Sequence, residues 1–150
     1  MNEPSTPIDD DRSIAISYYN RAQELYHSIR TPEQDQEMLE AALTSRNHWR
    51  LVGGPRQFAM SDWMVSRVYV LFNDPALAVE YALGSLVHDQ QNFPAWLKAS
   101  IYEGIARAHK CAGNDSEFER FLGLATSALS LETDPEDKQL ILKQIEELSA

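Results

Sequence analysis

Apolar residues recur along most of the chain at three- and four-residue steps, and nowhere do they alternate one by one as a half-buried strand would require. Ile14, Tyr18, Ala22, Leu25, Tyr26 and Ile29 predict a first helix starting near Asp10 to Ser13 and running to about Ile29. Thr31-Pro32-Glu33-Gln34 restarts the chain, with a capping threonine, a proline suited to the first helical position and a glutamine able to reach back to the cap. Met38, Leu39, Ala42, Leu43 and Trp49 mark the face of that second helix. Gly53-Gly54-Pro55 stops it, with glycine expected in the left-handed closing position.

A third helix covers Phe58 to Asn73. Asp74-Pro75 opens a fourth, with Leu77, Ala78, Tyr81, Ala82, Leu86 and Val87 expected inward. Asn92-Phe93-Pro94 opens a fifth, closed by Gly113, and Asn114 to Glu117 open a sixth whose stripe is Phe118, Phe121, Leu122, Ala125 and Leu129. Asp134-Pro135 opens a seventh, with Leu140, Ile141, Ile145 and Leu148 on one side. The class is all-α. Short connections make successive helices antiparallel, giving three hairpins and a C-terminal capping helix. Residues 1–9 read as a disordered acidic tail, and 10–150 as one helical domain.

The restart signals at Pro32, Pro75 and Asp115 lie 43 and 40 residues apart, and those at Pro94 and Pro135 lie 41 apart. A period near 40 built from helix pairs is the mark of an α-solenoid. Sliding the third helix onto the fifth sets Val65 on Ile105, Ser66 on Ala106, Arg67 on Arg107 and Tyr69 on His109; sliding the fourth onto the sixth sets Tyr81 on Phe121. With Val65, Ser66, Tyr69, Ala78 and Tyr81 in one unit and Ile105, Ala106, Phe121 and Ala125 in the next, the pattern resembles the tetratricopeptide repeat. It departs from that repeat in carrying Asp62 and Tyr102 at the usual tryptophan position and Phe118 at a usual alanine. The segments His48 to Pro55, Asp62 to Tyr69 and Ile101 to Ala108 together resemble a group of small bacterial helical proteins with a tetratricopeptide-like fold. That resemblance implies a bacterial intracellular protein and brings no catalytic residues with it.

Charge alters the picture at one point. The net charge of −10 excludes ordinary binding to a nucleic-acid backbone, which needs clustered Lys and Arg. No apolar run is long enough to span a bilayer, and the amino terminus lacks the basic and apolar blocks of a secretory signal, so a cytoplasmic address is expected. Cys111 is the single cysteine and reads as a small buried residue. His27, His48, His88 and His109 lack metal-ligand spacing, no dinucleotide or phosphate-loop fingerprint occurs, and no cofactor is expected.

In a tetratricopeptide-like array the first helix of each pair lines the concave face, and equivalent positions stand side by side there. The 40-residue slide pairs Met60 with Ser100, Trp63 with Glu103, Arg67 with Arg107 and Val70 with Lys110; a further slide of 43 adds Asn20 and Glu24. Two guanidinium groups on one face form a clamp for a carboxylate, or else close an ordinary ion pair with Glu103. His48 and Trp49, at the end of the second helix, are accessory candidates. The expected function is a non-enzymatic interaction scaffold whose groove takes an extended peptide or a small acidic ligand, as a monomer or homodimer. The alternatives are a small enzyme using His48 beside Arg67 and Arg107, with paired carboxylates such as Asp62 and Glu103, or a homo-oligomeric structural protein.

Overall fold

Prolines preceded by short polar caps begin helix after helix. The computed structural model describes residues 7–88 and 92–149. Among them lie seven helices and no strand: α1 (Pro7–Tyr26), α2 (Pro32–Val52), α3 (Pro55–Leu71), α4 (Pro75–Gly84), α5 (Ala95–Ala112), α6 (Asp115–Leu129) and α7 (Pro135–Ser149). Thr31 Oγ1 accepts from the Gln34 amide at 3.2 Å while Gln34 Oε1 accepts from the Thr31 amide at 3.0 Å, the reciprocal capping box. Asp74 caps the Leu77 amide, and Asp134 caps the amides of Glu136 and Asp137. No described helix is long and apolar enough to cross a membrane.

Helix α1 packs on α2, α3 on α4 and α5 on α6; each even-numbered helix also packs on the next odd one. The odd helices touch in series, α1 with α3, α3 with α5 and α5 with α7. Small residues bring the hairpin arms together. Ser45 Oγ donates to the Ala15 carbonyl at 2.6 Å, and Ser66 Oγ to the Ala78 carbonyl at 2.8 Å, so each buried hydroxyl is paired across its hairpin. The apolar core runs as linked clusters, with Met38, Met64 and Val68 between the first two hairpins and Leu97, Ile101 and Ile105 further on.

Helix α5 starts differently from the others. Pro94 occupies its cap position without a side-chain bond, so Asn92 does not serve as the expected cap. The orphan amide of Trp96 instead donates at 2.9 Å to Glu132 Oε2, from the α6–α7 connection. The other oxygen of Glu132 accepts from the amides of Thr133 and Asp134.

Several expectations are revised. The tail expected over residues 1–9 lies outside the described residues as far as Thr6, but Pro7 already begins α1 and Tyr26 ends it, three residues short of Ile29. Proline fits a first turn, and Asp10 and Asp11 suit the positive helix end. Ala22 and Leu25 are buried as expected and Ala15 joins them, whereas Tyr18 is exposed and Ile29, beyond the helix end, is exposed as well. Val87 lies beyond the end of α4 and is 80% exposed, and Leu140 is 59% exposed. Gly113 does close α5 in the left-handed region, at φ 75°. Gly53 has φ −88° and is needed for space instead: a Cβ there would lie 2.8 Å from the Trp49 carbonyl oxygen.

His109 is a buried imidazole, stacked on Phe121 with its Nδ1 3.1 Å from the Asn114 side-chain nitrogen. An amide donor at Nδ1 favours the neutral ring protonated at Nε2. Burial lowers its pKa, partly opposed by Glu117. Below the ordinary imidazole value the unfolded chain therefore takes up a proton that the folded chain refuses, and stability falls as pH falls. Urea midpoints compared at about pH 7.5 and about pH 5 should drop less on acidification for His109→Gln than for the wild type, since the other three histidines are common to both chains and only the wild type must protonate a buried imidazole at 109. Equal drops would show that His109 is not an acid-sensitive point of the fold.

Candidate functional site

Glu103 is the only residue of the candidate set whose side chain is wholly enclosed, at 0% exposure. Its Oε1 accepts from Arg107 Nε at 2.9 Å and from Arg107 Nη2, one turn further along α5; its Oε2 accepts from Arg67 Nη1 of α3 at 3.2 Å. Arg67, itself 5% exposed, donates through Nη2 to the Tyr26 hydroxyl of α1 at 3.1 Å. Its guanidinium lies over the rings of Tyr26 and Trp63, 4.8 and 4.6 Å from their centroids. Burial works to lower the ionisation of Arg107, but the charge and hydrogen bonds of Glu103 outweigh it and the pKa moves up. The network thus ties α1, α3 and α5 together. Both arginines of the expected clamp are already engaged with one internal carboxylate.

Trp63 meets α5 at Gly104, where a Cβ would lie 2.6 Å from the indole Cδ1. Pressed there, its buried Nε1 has no hydrogen-bond partner among the described residues.

In front of this network lies a cavity of about 260 Å³ bounded by all four odd helices. Helix α1 contributes Tyr19, Gln23 and Tyr26, with His27 just past its end; α3 contributes Met60, Trp63, Met64 and Arg67. Trp96, Leu97 and Ser100 come from α5, and Asp137, Leu140, Ile141 and Gln144 from α7. Burial pushes the Tyr19 phenol up, against a hydrogen bond from Gln23. A second hollow of about 150 Å³, lined by Ile16, Asn20, Trp49 and Gln57, shares Tyr19 and Met60 with the first. The walls are mainly aromatic and apolar with a few amide groups, the composition typical of a recognition pocket.

Of the sequence candidates, Met60, Trp63, Arg67 and Ser100 line the main cavity, and Asn20, Met60 and Trp49 line the second. Glu103 and Arg107 stand behind the wall. Lys110 is elsewhere: its Nζ donates to the Leu148 carbonyl at 2.6 Å and ties α5 to the end of α7. Glu24 faces solvent and pairs with Arg21 at 3.1 Å. His48 is not among the residues lining either hollow, and its Nδ1 lies 2.7 Å from Asp11 Oδ1. Asp62 does not join Glu103 either; it accepts from Arg46 Nε at 2.6 Å and sits 3.0 Å from His88 Nε2, on the side of α3 that faces α2 and α4.

Comparison with known proteins gave no matching family model, no matching curated sequence and no matching solved structure. Among the described residues no three His, Cys, Asp or Glu side chains are grouped to hold a metal ion.

One change of offset accounts for both the α1 and the α7 walls of the main cavity. An offset of 41 residues, in place of 43, sets Met60, Met64 and Arg67 on Tyr19, Gln23 and Tyr26, all of which line the cavity. The same offset carried forward sets Trp96, Ser100 and Glu103 on Asp137, Ile141 and Gln144.

Two substitutions probe the wall. Glu103→Gln leaves the buried Arg67 guanidinium without its counter-charge, while Arg107 keeps only Glu147 at 4.0 Å, and should cost about 3–5 kcal/mol of unfolding free energy, read by urea titration. A loss below about 1 kcal/mol would mean that the network contributes little. Gly104→Ala should gain about 1 kcal/mol from helix propensity yet destabilise by about 1–3 kcal/mol net through the clash with Trp63. Trp63→Phe in the same chain should recover part of that loss, and a stabilised single variant would contradict the contact.

Proposed function

We propose that the chain is a non-enzymatic interaction module of tetratricopeptide-like solenoid type, working in the cytoplasm, whose concave groove receives a protein or peptide partner. What carries this reading is the single cavity walled by α1, α3, α5 and α7, since helices equivalent by the 40-residue period contribute equivalent positions to one surface. An apolar side chain of an extended peptide suits the four aromatic rings there better than a small acid does. The carboxylate of such an acid would have to displace Glu103 from both arginines, and a buried, doubly hydrogen-bonded ion pair resists that exchange. The serial contacts of the odd helices and the short hairpin connections support the solenoid part of the proposal.

Ser100→Trp tests the groove without touching the ion network, because Ser100 lines the cavity and makes no bond in that network. Dodecapeptides selected from a random display library on the wild-type chain should lose about tenfold or more in affinity for this variant, as when a central anchor pocket is closed. Unchanged urea midpoints show that both chains are folded. Failure to enrich any peptide, or equal binding by both chains, would overturn the proposal.

A further inference from the structure

The two hollows are parts of one groove. Tyr19 and Met60, one from α1 and one from α3, belong to the linings of both, so the larger and smaller compartments adjoin at this pair of side chains. The centres of the two lining sets are about five residues apart along both helices, or roughly 8 Å at the helical rise. In an extended chain, side chains on one face repeat every second residue, about 7 Å apart. Asn20, Gln23 and Gln57 flank the divide. The Asn20 amide carries both a donor and an acceptor, which the exposed backbone of an extended segment needs, whereas the Gln57 oxygen already accepts from the Gly54 amide and Gln23 bonds the Tyr19 phenol.

The charges give the partner a sign. Among the described lining residues of the two compartments the only Lys, Arg, Asp or Glu side chains are Arg67 and Asp137. Arg67 and Arg107 share Glu103, and Glu147 stands 4.0 Å from Arg107, so the two guanidinium charges are balanced by two carboxylates. The Asp137 carboxylate, in the first turn of α7, takes part in no ion pair or hydrogen bond among the described residues; only its backbone amide is engaged, by Asp134. The wall therefore presents one uncompensated negative charge at the larger compartment, within a chain of net charge −10, and both favour an approaching cation.

On the reading of this groove as a peptide site, we infer that its partner is an extended, basic-apolar segment. Two large apolar side chains at alternate positions fill the compartments on either side of Tyr19 and Met60, and a lysine or arginine beyond the one in the larger compartment pairs with Asp137.

The test uses the full chain and the dodecapeptides it enriches. Sequencing should return two large apolar residues at i and i+2 with a lysine or arginine on one flank. Asp137→Asn should weaken those peptides about threefold to fivefold at low salt, as loss of a half-exposed ion pair does, and the difference should shrink as salt is raised. Replacing the basic residue of the peptide by glutamine should produce the same loss on the wild type and none on Asp137→Asn. Met60→Trp, which crowds the divide, should weaken two-anchor peptides more than peptides cut down to one apolar residue. Enriched peptides that depend on Ser100 but are acidic, lack the alternate spacing or ignore Asp137 would overturn this inference while leaving the groove intact. An empty selection would remove the groove and the inference together.

Discussion

A carboxylate with no access to water, held by guanidinium groups from two helices, is the constraint on which the rest of the structure turns. Glu103 cannot be buried alone, because an unpaired charge in the interior is too costly to keep. Arg107 comes from its own helix, but Arg67 must be brought from α3, and Arg67 in turn reaches the Tyr26 hydroxyl of α1. One buried charge thus sets the relative placement of three helices that have few other polar links. Apolar packing is tolerant of small shifts, whereas a forked hydrogen-bond network has few acceptable geometries.

The cavity is a by-product of that placement. Arg67 lies flat between the rings of Tyr26 and Trp63, so those aromatic planes are fixed with it. Gly104 lets Trp63 lie against α5 where any side chain would hold it off. The floor of the groove is therefore held in place, and the adaptable part of its lining is the partly buried Met60, whose unbranched side chain can fit different occupants, whereas Met64 belongs to the core. A pre-organised floor with adaptable edges loses little entropy on binding.

Much of this was legible beforehand. Caps and prolines at Thr31, Asp74 and Asp134 announce helix starts because their chemistry is local, and the 40-residue repeat brought Trp63, Arg67, Glu103 and Arg107 to one place. What residue identity alone did not settle was the destination of the charges, since an arginine pair reads the same whether it awaits a ligand or holds an internal glutamate. The phase of α1 was also obscured. Its two adjacent tyrosines, Tyr18 and Tyr19, serve helical periodicity equally well, and only packing against α3 selects Tyr19 as the inward one. Lys110 shared the periodicity of the groove residues but is drawn aside by the carbonyl end of α7, a partner far along the chain.

The bond between Glu132 and the Trp96 amide has a consequence for the order of events at the ribosome. The start of α5 emerges well before residue 132, so during synthesis its first turn leaves the exit tunnel with an amide whose partner has not yet been made. Trp96 stands in the wall of the larger compartment. The groove is therefore completed from its far end: the connection after α6 closes the first turn of α5, α7 docks beside it, and only then does the nascent chain present the whole surface to a partner.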